Sequence, residues 1–477
     1  MARDKLVCNC NKTMTLDGKA LGAALRQGAA VPVHTELCRR HLAAFESAVK
    51  SGNDLVVACT QEAPLFSELR EELKGAADIR FVNIRENAGW SAESAQALPK
   101  IAALLALADL PEPEPVPVVG YQSGGQLLII GPAGVALQWA EKLREALSVS
   151  VLLTGENGQA ELPDERQYPV FSGKPIAARG YLGAFEVEWR QENPIDLDVC
   201  TRCNACVRAC PEQAIDTTYQ IDLEKCRSHR QCVKACGDIG AIDFDRKETR
   251  RQERYDLILD LGREPLIRLP QLPQGYFAPG RDPVEQALAA QQLPQMTGAF
   301  EKPKFFQYRE KICAHSRNEI VGCTKCIDVC STRAISSDRE RNRVVVEPHL
   351  CMGCGGCAMV CPSGAMGYAY PGVADLGLRA RTVLQTYRAA GGKHACLVLH
   401  NREDGRSAVS RMARRGKGLP ARAIPLELHH IASVGIDFLL GAIALGSAIT
   451  AGQRIALAHR LMRELDQKRE EGAAHVA

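Results

Sequence analysis

Twenty cysteines occur in the 477 residues, and fifteen of them fall between 200 and 236 or between 313 and 361. Cys200, Cys203, Cys206 and Cys210 are spaced C-x2-C-x2-C-x3-C with Pro211 behind them, and Cys351, Cys354, Cys357 and Cys361 repeat the spacing with Pro362. Three thiolates two residues apart on a tight loop reach one four-iron cubane, and the fourth points away to a neighbouring cluster. The proline helps to end the loop and redirect the chain. Gly353, Gly355 and Gly356 let the backbone approach the sulfides and donate N–H bonds to them. Structural zinc favours two C-x2-C pairs set far apart, so four thiols in one short run point to iron–sulfur chemistry instead.

Each run has a degenerate partner, making an internal repeat of four half-units. Cys226, His229, Cys232 and Cys236 partner the first, with histidine in the second ligand position. Cys313, Cys323, Cys326 and Cys330 partner the second, with seven extra residues between the first two cysteines. The run is the bacterial ferredoxin signature, in which two clusters exchange their fourth ligands. Crossed ligation predicts one set of Cys200, Cys203, Cys206 and Cys236, and a second of Cys226, Cys232 and Cys210 plus a further group. In the later block the sets are Cys313, Cys323, Cys326 and Cys361, then Cys351, Cys354, Cys357 and Cys330. His229 either ligates iron, leaves a three-iron cluster, or sits on the surface between Arg227, Ser228 and Arg230. An imidazole in place of a thiolate removes negative charge and makes a cluster easier to reduce.

Cys8, Cys10, Cys38 and Cys59 match no such run, so the elements around them must place them. Strand-like segments at Lys5–Cys8, Val31–Cys38, Asp54–Cys59 and Ile79–Ile84 alternate with helical segments at Ala20–Gln27, Arg39–Lys50 and Pro64–Lys74. That alternation predicts a parallel sheet. Cys8, Cys38 and Cys59 then lie at the carboxyl ends of strands, the edge where open α/β sheets bind ligands. The four thiols either hold a further four-iron cluster or are separate core cysteines.

The stretch Pro111–Val118 is proline-rich and partly acidic, which stiffens it into a boundary. Gln126–Gly131, Val135–Leu147 and Val149–Leu153 read as one strand–helix–strand unit. Gly131-Pro132-Ala133-Gly134 at its turn lacks the third glycine and the acidic residue of a dinucleotide fingerprint, so the unit reads as structural. Residues 262–304 show little periodicity and read as a connection, with Asp256–Gly262 a strand before them. Arg246–Arg254 reads as a solvated turn. Towards the C-terminus, Leu376–Ala390 reads as a helix, and Ala395–His400 and Ala423–Leu428 as strands. Ile431–Thr450 carries Asp437 and three glycines and is too short for a membrane span, which predicts a buried helix. The basic stretch Arg411–Arg422 reads either as a solvated loop or as a surface that steers an acidic partner. Ile455–Glu471 reads as an exposed amphipathic helix.

These readings predict a multidomain chain of the α/β and α+β classes. Its parts are an N-terminal parallel α/β domain over 1–112, a small βαβ unit and strand pair over 117–192, and a first bacterial-type 2[4Fe-4S] ferredoxin module over 193–248. A linker over 249–304, a second 2[4Fe-4S] module over 305–371 and a small C-terminal α/β domain over 372–477 complete it. Composition is that of a globular protein, 46% apolar and 24% charged, and a net charge of +3 gives no footprint for nucleic acid. No basic and apolar leader opens the sequence, so twenty cysteines here predict metal binding in the cytoplasm rather than an exported disulfide scaffold.

Cys8-Asn9-Cys10, Ala58-Cys59 and Asn83-Ile84-Arg85-Glu86 with Trp90 resemble the amino-terminal domain of the heterodisulfide reductase A-subunit family. Gly180–Val187, leading into Cys200, resembles the strand pair before that family's ferredoxin motif. From Leu6 to Asp437 the chain resembles the proteobacterial four-iron ferredoxin-like proteins associated with formate dehydrogenase gene clusters. CAHSRNEIVGC and VEPHLCMGCGGC are the most specific stretches. Two features depart from the reductase family: Ala88 stands where it tends to carry a further cysteine, and its large flavin domain has no counterpart. The resemblance implies electron transfer with a redox-enzyme partner such as formate dehydrogenase, with four [4Fe-4S] clusters, a fifth at the N-terminal thiols, and no flavin. Such a protein relays single electrons through its clusters and needs no side chain for bond chemistry. The alternatives are an assembly factor for a molybdenum formate dehydrogenase, or an iron–sulfur subunit of a heterodisulfide-reductase-like oxidoreductase.

Overall fold

A computed structural model describes residues 3–155, 160–191, 193–245, 249–315 and 322–451. At the N-terminus, β1 (Asp4–Cys8), α1 (Gly18–Ala24), β2 (Val33–His34), α2 (Leu42–Ser51), β3 (Leu55–Ala58), α3 (Ala63–Glu72) and β4 (Ile79–Phe81) alternate. All four strands are parallel, in the order β2-β1-β3-β4. Because successive side chains leave a strand on opposite faces, Leu6, Leu55 and Val57 join a core with Phe45 and Phe66, while Val7, Val56 and Ala58 join another with Leu21 and Ile101. The strand predicted over Val31–Cys38 shrinks to two residues, so Cys38 lies beyond its end. α4 (Leu98–Ala108) closes this domain, with Ile101, Leu104 and Leu105 buried.

A second α/β body follows. β5 (Val118–Ser123), β6 (Gln126–Gly131), α5 (Ala133–Leu143), β7 (Ser148–Leu153), β8 (Val170–Ser172), β9 (Lys174–Arg179) and β10 (Phe185–Gln191) lead into the first cysteine block. That block has only the short helices α6 (Ala205–Ala209) and α7 (Gln231–Cys236). The chain returns through β11 (Thr249–Tyr255), β12 (Leu257–Asp260), β13 (Tyr276–Phe277), α8 (Pro283–Gln292) and β14 (Gly298–Pro303). A five-stranded parallel sheet runs β13-β12-β6-β7-β8, β9, β10 and β11 form an antiparallel sheet, and β14 pairs with β5.

Residues 249–304 are therefore not a linker. They supply two strands of the main sheet and a strand to each of the others, because the apolar run at Leu257–Leu259 is fully buried beside β6. Asp260 pins the aperiodic stretch behind it, accepting from the Gly262 and Leu266 N–H groups and, at 2.5 Å, from the Tyr276 hydroxyl. The basic segment read as a turn is, from Thr249 onward, strand β11. Gln191 on β10 pairs with Thr249 on β11, so the first cysteine block is inserted between two paired strands.

The second block carries β15 (Phe306–Tyr308), α9 (Lys325–Asp328), β16 (Ile335–Asp338), β17 (Arg343–Val346), α10 (Gly356–Val360) and β18 (Met366–Tyr368). Beyond it, α11 (Val373–Ala389), β19 (Cys396–Asn401), α12 (Asp404–Arg415), β20 (Ala423–Leu428), α13 (Ile436–Ala444) and β21 (Ala448–Ala451) form a domain on a parallel sheet ordered β20-β19-β21. The buried helix predicted over Ile431–Thr450 is instead the nine-residue α13 followed by β21. Phe438 and Ala442 face the core, whereas Ile436, Leu440 and Ile443 are exposed. Among the described residues no helix is long and apolar enough to cross a membrane. The helix predicted over Ile455–Glu471 lies outside the described residues.

The N- and C-terminal domains pack against one another, with Ala103 of α4 entering the core of α11, β19 and β20. The basic stretch Arg411–Arg422 forms part of this contact rather than a solvated loop. Leu419 and Ala421 are buried, Arg414 bonds Glu86, and the carbonyls of Leu419 and Pro420 accept from Nζ of the fully buried Lys100 at 3.1 and 2.9 Å. Burial lowers Lys100 from its ordinary 10.5 to about 8, only partly opposed by Glu93. Between those values the unfolded chain binds the proton and the folded chain does not, so this lysine makes stability rise from about pH 8 to about pH 10.5. The melting temperature of the protein relative to Lys100→Met is expected to climb over that window. A flat difference would count against it.

Candidate metal centres

The first block gathers its thiols into two groups. Cys200, Cys203, Cys206 and Cys236 line one cavity together with Tyr219, Ile239 and Ile242. Burial, then Cys200 and Cys203, push the Cys206 thiol up to about 11. In the neighbouring group burial raises the Cys232 thiol, and Cys210 and Cys226 raise it further. Thiols that oppose one another's ionisation at one point are held as thiolates by a cationic core, which is what an iron–sulfur centre supplies. The short helices α6 and α7 present Cys206 and Cys232, both buried, while Cys203 is exposed.

The second block repeats the arrangement. Cys313, Cys323, Cys326 and Cys361 line one cavity, and burial, Cys313, Cys361 and Cys323 push Cys326 up to about 11. Burial and the neighbouring Cys351, Cys354 and Cys330 push Cys357 up to about 12. After each Cys-Pro the chain turns a backbone N–H onto the cysteine it has just passed: Ala214 onto Cys210 and Met366 onto Cys361, both at 3.3 Å. Such bonds stabilise negative charge on sulfur and are one lever on a cluster's potential. His315, 1% exposed in the stretch between Cys313 and Cys323, donates from Nδ1 to the Cys323 carbonyl at 3.0 Å, and its Nε2 is hydrogen-bonded to the Ser337 hydroxyl at 2.8 Å. Residues 316–321 lie outside the described part.

The glycines of the Cys351 loop have a reason beyond approach to sulfides. Gly353 and Gly355 hold positive φ, at 72° and 78°. A Cβ on Gly353 would lie 2.7 Å from the Phe305 ring, and one on Gly355 would lie 2.5 Å from Ser433 of the C-terminal domain. Lys302 on β14, which sequence reasoning missed, grips the same loop through the carbonyls of His349 and Cys351 at 2.7 and 2.8 Å. Tyr121, on the neighbouring strand β5 and the same face as Lys302, donates to the same His349 carbonyl at 2.8 Å. No local signal marks either residue, because both come from strands distant in sequence.

His229 stands apart from a purely thiol environment. Its side chain is 45% exposed and its Nε2 lies 3.0 Å from the Glu212 carboxylate, just beyond Cys210-Pro211. Cys210, Cys226 and Cys232 act on one another's ionisation, whereas the contact recorded for His229 is with Glu212.

At the N-terminus, Cys8, Cys10, Cys38 and Cys59 line a single cavity of about 180 Å3 at the carboxyl end of the sheet. Cys8 accepts from the N–H groups of Cys10 and Leu37 at 3.3 and 3.4 Å. Burial raises the Cys59 thiol, with Cys38 and Cys8 adding to it, and burial with Glu62 and Cys8 raises Cys38. Among the described residues no group of Cys, His, Asp or Glu side chains is placed to hold a single metal ion; the four thiols share one cavity and are the donor type that a four-iron cluster takes. Cys396 is buried at the start of β19 and lines none of these cavities.

Two parts of the chain match models of the 4Fe-4S dicluster domain, residues 193–237 and 321–365. Together with the thiol groups they define an iron–sulfur electron-transfer protein with two ferredoxin domains. Among curated proteins it is similar to the indolepyruvate oxidoreductase subunit IorA of Pyrococcus horikoshii, 35% identical over 80 residues, which are 17% of this chain and 11% of the relative. The same subunit of Thermococcus kodakarensis is 44% identical over 48 residues, 10% of this chain and 7% of the relative. The chain spans about a tenth of the length of the curated relatives it matches.

Proposed function

We propose that this chain is a cytoplasmic electron relay with five iron–sulfur centres, serving a redox enzyme such as a formate dehydrogenase. The reading assigns Cys200, Cys203, Cys206 and Cys236 to one centre, and Cys210, Cys226 and Cys232 with the His229 position to the next. Cys313, Cys323, Cys326 and Cys361 take the third, Cys330, Cys351, Cys354 and Cys357 the fourth, and Cys8, Cys10, Cys38 and Cys59 the fifth. The observation that carries it is the convergence of thiols from separate half-units, together with the separate cavity shared by the N-terminal four.

When bound, the clusters supply one-electron chemistry. The chain's part is to hold the thiolates, to turn N–H groups onto them, and to bury or expose each centre. The exposed Cys203 marks the first module as a point of electron entry or exit. At the Cys351 loop, Phe305 and Ser433 pack close and restrict access.

Iron and acid-labile sulfide on anaerobically purified protein are expected at about 20 of each per chain for five four-iron centres. Cys59→Ser lowers both by about four, and Cys396→Ser leaves them unchanged. About 16 in the wild type, with the N-terminal thiols open to alkylation, would remove the fifth centre. For the partner, formate and a formate dehydrogenase are expected to bleach the cluster absorption. Failure of the enzyme to reduce a fully metallated chain would reject that assignment.

A further inference from the structure

We propose that Arg85 is the built-in counter-cation of the N-terminal thiol site, and that Arg414 of the C-terminal domain, acting through Glu86, aims it. The inference rests on the reading of that site as an iron–sulfur centre and adds what sets its potential.

The turn Arg85–Gly89 is π-helical, with the Gly89 and Trp90 N–H groups bonding the carbonyls five residues back. Such turns are uncommon and recur at functional sites. This one places Arg85 and Glu86 side by side at the cavity, and Glu86 is 2% exposed. A carboxylate that deep needs a cation, and it has two. Its Oε1 accepts from Nε and Nη2 of Arg85 at 3.1 and 2.6 Å, and from Nε and Nη2 of Arg414 at 3.0 and 2.8 Å. With that edge of Arg85 engaged, its remaining nitrogen, Nη1, donates to Cys10 Sγ at 3.5 Å.

Two further contacts fix the guanidinium. Its face lies 4.1 Å from the centre of the Trp90 ring, and the Trp90 indole N–H is held by the Thr13 hydroxyl at 3.0 Å. The C-terminal domain presses on the same turn from outside. The Lys417 carbonyl accepts from the Ala92 N–H at 2.8 Å, and Gly418, at positive φ, leaves only 2.3 Å between a Cβ and the Trp90 carbonyl.

Two guanidinium groups and one carboxylate leave the trio with a net charge of about +1 beside a thiolate. Reduction adds an electron to the centre, so a cation bonded to its ligand sulfur stabilises the reduced form more than the oxidised one and raises the potential. The Arg85 side chain is only 13% exposed, so water screens it little. Arg414 contributes mainly by holding Glu86, and through it the direction of Nη1. It is therefore a positioning residue.

The test is an EPR-monitored redox titration of the anaerobic full-length protein, with the N-terminal signal identified by its loss in Cys59→Ser. Arg85→Gln is expected to shift that one potential downward and leave the others in place. Arg85→Lys, which keeps the charge, restores part of the shift. Arg414→Gln shifts it in the same direction by less, and in the double variant adds little to Arg85→Gln, since residues acting through one another are not additive. The Arg414 side chain is 53% exposed at a helix end, so its variant carries the test if Arg85→Gln does not assemble. An unchanged potential in fully metallated Arg85→Gln overturns the proposal, as does an Arg414→Gln shift that persists in full without Arg85. If Cys59→Ser removes no iron, it is the centre itself that fails.

Discussion

Stripping iron from the reduced protein with a chelator is expected to unfold both cysteine-rich modules while the parallel sheets stay folded. Their helices, α6, α7, α9 and α10, have five, six, four and five residues, too short to persist without tertiary support. The core of the second module holds seven buried residues, two of which are Cys313 and Cys326. Removing the metal leaves buried thiols that are neutral at ordinary pH and no longer tied to a common centre, with little apolar surface to hold the loops of the second module. The sheets around β1 and β19 have cores of their own, with Val7 and Leu397 unexposed, and β6 keeps the core on its Leu128 face, its Leu127 face being shared with the first module. Hydrogen exchange read by mass spectrometry should therefore lose protection in α6, α7, α9 and α10 and keep it in those strands. Protected amides in the modules of an iron-free chain would show that side-chain packing alone suffices.

Trp189→Ala is expected to cost about 3–5 kcal/mol of stability, read as a shift in denaturant midpoint. Trp189 is fully buried on β10, 5.3 Å from the Phe171 ring, in the core that joins the β9-β10-β11 sheet to the five-stranded one. Truncation leaves a cavity between two sheets on a strand, β10, that is itself paired on both sides, so the site cannot easily collapse. The first cysteine block hangs between β10 and β11, so the variant should also lose iron from that module faster than from the second. A loss below 1 kcal/mol, or equal release from both modules, would mean that the block is held independently of its root.

The cysteine modules are legible because their determinants are local. A cluster loop needs thiols at set intervals and a proline at its end, and those are properties of twelve consecutive residues. The same holds for the first four strands, where short apolar runs alternating with amphipathic helices permit only parallel crossovers. Residues 249–304 were opaque for the opposite reason. Their strands are two to seven residues long, and their loops are pinned by single polar atoms such as those of Asp260. Arg411–Arg422 reads as solvated from its charge, yet its backbone carbonyls meet Lys100 and one of its arginines meets Glu86, both more than 300 positions away in sequence.

By itself, the sequence determined the chemistry of the two modules: four half-units of cysteine with the spacing of iron–sulfur ligands. Tertiary structure alone decided what surrounds each group of thiols. It brought Lys302 to the Cys351 loop, Glu212 to His229, and Arg85, aimed by a partner from the other end of the chain, to Cys10. Ligand spacing is written in adjacent residues, whereas the charge beside a ligand depends on which distant segments can bury their polar groups against it.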